Sequence, residues 1–235
     1  MPKTTIKQEF YIALAGLSGI CFYYLLENIA LTYTYASNVS VICCCAPFFI
    51  AILSMFFLNK KFGIKFFIGF IISIAGIAVI SFNGTKIHLN PLGDLLALTA
   101  SVTWAIYSLT IKKISSFGFP TLLITRKTFV YGIIFMIPML FLFDFHFDLA
   151  RFSKPLNITN ILFLGFIASA LCFAVWNKAI KILGAVKCTL YIYLMPIITV
   201  IFSILILKEN VTPLLLTGTT LTLLGLILSE TDKNR

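Results

Sequence analysis

GLSGICFYYLLENIALTYTYASNVSVICCCAPFF, residues 16–49, lies without a gap over GFIASALCFAVWNKAIKILGAVKCTLYIYLMPII, residues 165–198, when the chain is slid against itself by 149 residues. Gly16 meets Gly165, Asn28 meets Asn177, Ala30 meets Ala179, Ala36 meets Ala185 and Pro47 meets Pro196. Farther along, Ser54 meets Ser203, Leu58 meets Leu207, Gly69 meets Gly218 and Gly76 meets Gly225. Identity is low. The weight falls on a register held through three apolar segments, which marks an internal repeat.

The medium around the repeat follows from composition. Of 235 residues, 60% are hydrophobic and 11% charged, and the mean hydropathy is +1.04. A water-soluble domain needs more polar surface than this. The apolar residues come in blocks near bilayer-spanning length, so the expected fold is all-α, a polytopic membrane protein. Eight spans are expected: Phe10–Leu31, Ala36–Leu58, Ile64–Phe82, Leu92–Ile111, Thr128–Phe143, Asn160–Trp176, Ala185–Leu207 and Leu214–Ser229. Met1–Phe10 lacks the short apolar core and small-residue cleavage site of a signal peptide.

The basic residues orient the spans. With the N-terminus and every second loop on one side, 14 Lys and Arg residues fall on that side and four (Lys86, Arg151, Lys154, Lys208) on the other. By the positive-inside rule both termini are expected in the cytoplasm. The net charge of +10 is thereby accounted for at span ends, and a nucleic-acid partner is not expected. Span 1 then runs outward and span 6 inward, so the two copies have opposite orientation. Inverted-topology repeats characterise secondary transporters that bind substrate between the copies. The expected copies are residues 1–84, with three spans, and 85–235, with five. The boundary falls in the outer loop NGTKIHLNPLG.

These residues resemble the drug/metabolite transporter superfamily, in its EamA type. The resemblance is carried by NIALTYTYASNVSVI…AP and FLNKKF in the first copy. In the second it is carried by GDLLALTASVTWAIYSLTIKK and by VWNKAIKILGAVKCTLYIYLMPIITVIFSILILKENVTPLLLTGTTLTLLGLIL. It implies ten helices in two five-helix inverted repeats around a central cavity, and export of amino acids or similar metabolites. Against that pattern the first copy lacks two N-terminal helices, and LNKKF lacks the acid that the second copy keeps as Glu209. A fragment, a misplaced start or a complementing chain would each account for the difference.

Glu27 is the sharpest candidate for a binding residue. A carboxylate at bilayer depth costs on the order of 3 kcal/mol, so it is expected to face the bundle interior and mark a substrate or proton path. The competing reading puts it near enough to the outer end to reach headgroup water. Asn28 and Asn177 are repeat mates, and either line a site or bond neighbouring helices. Trp104 and Tyr107 share one face of span 4 and either line a cavity or pack. Tyr191 and Tyr193 precede Pro196 on different faces, so at most one of them is available to a substrate. Pro47 and Pro196 are expected mid-span, where proline frees a carbonyl and breaks the helix at a cavity, or simply kinks it. Lys178, Lys181 and Lys187 form a basic cluster facing anionic lipid.

The six cysteines show no metal spacing, and the two histidines fall in outer loops, so neither a metal nor a cofactor is expected. The functional expectation is a secondary transporter of small organic metabolites, working by alternating access, with Glu27 coupling transport to protons. The alternatives are a non-transporting remnant or a membrane subunit needing a second copy or another chain. A membrane enzyme is disfavoured, since the chain offers no intramembrane histidine or paired carboxylates.

Overall fold

The computed structural model describes residues 4–34, 39, 42–81, 90–142, 154–194, 198, 201 and 213–231. The described residues are almost wholly helical and contain no β-strand. The helices are α1 (Ile6–Tyr33), α2 (Ala46–Leu58), α3 (Ile64–Ser81), α4 (Pro91–Ser115), α5 (Thr121–Leu142), α6 (Pro155–Leu183), α7 (Ala185–Leu190) and α8 (Pro213–Glu230). Among the described residues α1, α4, α5 and α6 are long and apolar enough to cross a bilayer. The chain is an all-α polytopic membrane protein.

Its first turn is set by Thr5. The Thr5 hydroxyl accepts from the Gln8 N–H at 3.4 Å, and the Gln8 side-chain oxygen accepts from the Thr5 N–H at 2.8 Å. This capping box satisfies two donors that the helix start leaves open. The 28 residues of α1 span about 42 Å, against about 30 Å of hydrocarbon.

Two helices carry a wide π-helical segment, Gly16–Phe22 in α1 and Phe163–Leu171 in α6. Slid by 149 residues, Gly16–Phe22 falls on 165–171, inside the second segment. A π segment is uncommon, so its recurrence at the matching place is independent of residue identity. Helices α3 and α8 also share their bounds after that slide, 64 to 213 and 81 to 230.

α3 and α8 pack backbone to backbone. A Cβ on Gly69 would stand 2.6 Å from the Gly225 carbonyl oxygen, and one on Gly76 would stand 2.6 Å from that of Gly218. Residue number rises along one helix as it falls along the other, so the pair is antiparallel. Small residues permit such approach between membrane helices, where van der Waals contact and hydrogen bonds drive association. At the centre of the seam Ser73 Oγ donates to the Thr222 carbonyl at 3.3 Å, across a separation of 149 residues. Ser73 therefore bonds the residue that the repeat register assigns to it.

The chain divides into two compact units, Met1–Cys21 with Tyr107–Gly184 and Phe22–Ile106 with Ala185–Arg235. Each unit draws on both halves of the sequence. In the second, α1 and α4 are antiparallel: Gly93 packs on Tyr33 and Thr34, while Tyr23 meets Trp104 farther along. In the first, α4 and α6 are parallel, with Tyr107 bonded to Asn177 and Lys112 to the Lys181 carbonyl. All three relative directions agree with eight alternating spans.

Three expectations about span ends change. α5 begins at Thr121 rather than Thr128, which places Arg126 and Lys127 within the helix. α6 continues to Leu183, past Trp176, and takes in Lys178 and Lys181. Long basic side chains can carry a helix past the hydrocarbon edge, because their stems stay on apolar surface while the head reaches water. α6 stops at Gly184, whose φ of 87° suits a residue without Cβ. Pro47, expected mid-span, instead occupies the first turn of α2, after a turn at Cys44–Cys45. A first helical turn has spare N–H groups, so a residue without one costs nothing there. The corresponding place in the second copy is also irregular: α7 gives way to a 3-10 turn at Tyr191–Tyr193. Pro196 lies outside the described residues, as do His88, His146, Lys86 and Glu209.

Candidate functional site

Glu27 lies on α1 six residues before its end at Tyr33, about 9 Å along the axis. If a helix of about 42 Å is centred on a core of about 30 Å, it overhangs each edge by about 6 Å, and Glu27 then falls about 3 Å inside the hydrocarbon. The side chain is half-buried. Tyr23, one turn earlier, donates its hydroxyl to the carboxylate at 3.0 Å. The Tyr23 ring leans on Trp104 of α4, with centroids 4.8 Å apart and planes at 47°. Cys43, just before the Cys44–Cys45 turn, lies near the carboxylate, and its thiol is hydrogen-bonded with Ser101 of α4. Ser101 Oγ also donates to the Ile42 and Ala97 carbonyls, at 3.1 Å each. Ala30, Val39 and Ala97 form the small-residue core beside this cluster. One carboxylate, two aromatic rings and the start of an interrupted helix are thus brought together.

Asn28 and Asn177 share a register but not a role. Asn28 is exposed, and its amide donates back to the Tyr24 carbonyl of its own helix at 2.7 Å. It therefore makes no bond to a neighbouring helix among the described residues. Asn177 is 2% exposed and joins three helices. Tyr107 of α4 donates to its Oδ1 at 2.6 Å, and its Nδ2 donates to Thr125 Oγ1 of α5 at 3.0 Å. Thr125 passes the chain on to the Thr121 carbonyl at 3.0 Å. The Tyr107 ring lies against Gly19, where a Cβ would come within 2.3 Å of it, and packs on Phe173. These bonds tie α4, α5 and α6 together at Tyr107 and Asn177.

Tyr191 is exposed and Tyr193 fully buried, as opposite faces require. The Tyr193 hydroxyl has no hydrogen-bond partner among the described residues, and the side chain lies near Cys44 and Cys45. The two irregular turns that correspond in the repeat, at residues 44–45 and 191–193, are therefore neighbours.

A further cluster carried no expectation. Glu9, in the first turn of α1, receives the Lys127 ammonium of α5, the Thr4 hydroxyl and, at 2.7 Å, the Tyr131 hydroxyl. Lys127 also bonds Thr4 at 3.0 Å. The available signal was an acid at the end of the chain where basic residues dominate; reading Lys127 as a loop residue concealed its partner.

Comparison with known proteins places the site in context. The model of the EamA-like transporter family matches residues 1–82 and 91–231. An uncharacterized transporter of Archaeoglobus fulgidus is 25% identical over 239 residues, covering 100% of this chain and 81% of its own length. The uncharacterized transporter YvbV of Bacillus subtilis is 29% identical, covering 97% and 74%. A probable terminal-alkyne amino-acid exporter of Streptantibioticus cattleyicolor is 27% identical, covering 92% and 71%. A solved crystal structure superposes with a TM-score of 0.74 over 96% of this chain and 76% of that one, at 16% identity, and so shares the fold. With a family match over nearly its whole length, this chain belongs to the EamA-like transporter family.

Proposed function

We propose that the protein is a secondary transporter exporting amino acids or related small organic metabolites across the cytoplasmic membrane, with both termini in the cytoplasm. Transport proceeds by alternating access, the copies 1–84 and 85–235 rocking about a site at the outer half of α1. The observation that carries the reading is Glu27: a half-buried carboxylate on a long apolar helix, held by Tyr23 beside Trp104 and next to an interrupted helix. A polar group placed there at a cost marks a substrate or proton path. The matching π segments and the matching bounds of α3 and α8 support the copies as the moving parts. In this reading Glu27 also takes the coupling proton. The test is export from proteoliposomes loaded with a labelled amino-acid mixture, with and without a pH gradient, for the native chain and Glu27→Gln. Flux that rises with the gradient and falls in the variant supports the reading. Flux indifferent to both refutes the coupling, and absence of flux refutes transport by this chain alone.

One observation favours a second reading, in which the chain works with a complementing chain. Gly16 is enclosed by Thr128, Tyr131 and Gly132 of α5, whereas its mate Gly165 has no described residue within 4 Å of a Cβ position. The π segment of α6 has no buried residue. A second membrane helix bearing a central glycine, as α5 does, fits that face. Gly165→Trp would abolish flux if the face is occupied and leave it unchanged if it meets lipid.

A further inference from the structure

The charges around Glu27 bear on what the site accepts, and the inference rests on the transport reading above. No Lys, Arg or His occurs from residue 11 to 59, from 89 to 111 or from 188 to 207. These ranges take in α1 beyond its first turns, the start of α2, α4 as far as Ile111 and the turn at Tyr191–Tyr193. Lys7, the basic residue nearest in sequence on its own helix, is 20 residues away, about 30 Å along the axis. Among the described residues the ion pair present is Lys127 with Glu9, and Glu27 has none. Its hydrogen-bond donor is the Tyr23 hydroxyl.

Among the described residues no cation of the chain compensates this carboxylate, which leaves that part to a proton or to a cation from outside. The two rings beside it suit the second. An ammonium held against aromatic faces gains attraction from the ring quadrupoles, and more so when partly desolvated. Tyr23 supplies both a donor to the carboxylate and a ring tilted against that of Trp104. A substrate carboxylate, by contrast, would meet the like charge of Glu27 and no basic side chain on these segments. Asp94, in the first turn of α4, adds a second negative charge at the same end of the helices and also lacks an ion-pair partner among the described residues.

We infer that the Tyr23–Glu27–Trp104 cluster binds the ammonium end of its substrate, and that the class it prefers is the small organic amine lacking a carboxylate. Glu27 pairs with the ammonium, and the rings of Tyr23 and Trp104 cover its alkyl or aryl substituents. A zwitterionic amino acid presents the same ammonium but brings an uncompensated carboxylate, so it binds more weakly than its decarboxylated counterpart.

The chain carries two tryptophans, so Trp176→Phe leaves Trp104 as the sole indole reporter. In this background, in lipid nanodiscs, Trp104 emission is titrated with tetraethylammonium, phenethylamine and phenylalanine. The last two differ in the carboxylate alone. Both amines should give a saturable change, and phenethylamine should half-saturate on the order of tenfold lower than phenylalanine, the scale of one close charge contact. Glu27→Gln should weaken amine binding about as much and remove the discrimination, while Glu9→Gln, outside the cluster, should leave both titrations unchanged. Equal or tighter binding of phenylalanine overturns the inference. So does amine binding indifferent to Glu27→Gln in a variant of native helicity, or no saturable response to either amine. Amine binding without flux of any substrate would refute transport and leave the recognition standing; amino-acid flux without amine preference would do the reverse.

Discussion

Replacing Asn177 by leucine isolates the buried network joining α4, α5 and α6. Asn177 is 2% exposed and Tyr107 is fully buried, so water replaces neither partner. The substitution leaves the Tyr107 hydroxyl without its 2.6 Å acceptor. Thr125 loses a donor but keeps its own bond to the Thr121 carbonyl, so the cost falls mainly on the Tyr107 hydroxyl. A buried unsatisfied hydroxyl costs about 1–3 kcal/mol. Interhelical bonds measured within membranes run lower, about 0.6–1.7 kcal/mol. The expected loss is therefore about 1–2 kcal/mol. Tyr107→Phe, which unpairs Asn177 Oδ1 instead, should cost a similar amount. The double variant should cost little more than either single one, giving a coupling of about 1 kcal/mol. Reversible unfolding in mixed micelles titrated with dodecyl sulfate, followed by far-UV circular dichroism, reads all four corners. Strictly additive costs would refute the coupling between these two residues.

Other outcomes follow from the same geometry. Gly225→Leu places a side chain where even a Cβ would stand 2.4 Å from the Ser73 N–H nitrogen; it should spread the α3–α8 seam and lower the yield of folded protein, read by size-exclusion chromatography in detergent. Glu9→Gln removes the ion pair with Lys127, whose side chains are 19% and 28% exposed for Lys127 and Glu9; a loss of about 0.5–1 kcal/mol that shrinks with added salt is expected from micelle unfolding. Thr5→Ala removes the capping box and should cost about 1 kcal/mol, seen as faster amide exchange confined to the first turn of α1.

The apolar blocks made the all-α, polytopic architecture legible, and the 149-residue register anticipated features that residue type does not encode, such as matching π segments. What stayed hidden depended on partners. Arg126 and Lys127 read as loop residues because charge is costly in hydrocarbon; the sequence alone did not show that Lys127 meets Glu9, Thr4 and Tyr131 across a helix interface. Asn28 and Asn177 looked equivalent because register was all that could be compared. Their difference comes from Tyr107 and Thr125, which reach Asn177 from two other helices, while Asn28 turns back on Tyr24. Pro47 was misplaced for a local reason: an apolar run containing proline fits either a kinked helix or one that restarts, and the three preceding cysteines carry no stop signal. The role of Tyr23 was missed because an intrahelical tyrosine in a greasy segment is ordinary until its hydroxyl is found on a carboxylate.

The hydrogen bond between Ser73 and Thr222 has a use for whoever sets out to watch this protein move. A residue bonded to its own counterpart sits on the local two-fold axis relating α3 to α8. Rotation of either helix about that axis leaves the spacing between these two positions nearly constant, while positions farther along the helices sweep larger arcs. The Cα spacing of residues 73 and 222, both fully buried, should thus be the same in structures of any two states of the protein. That pair is the internal ruler against which distance changes elsewhere can be calibrated.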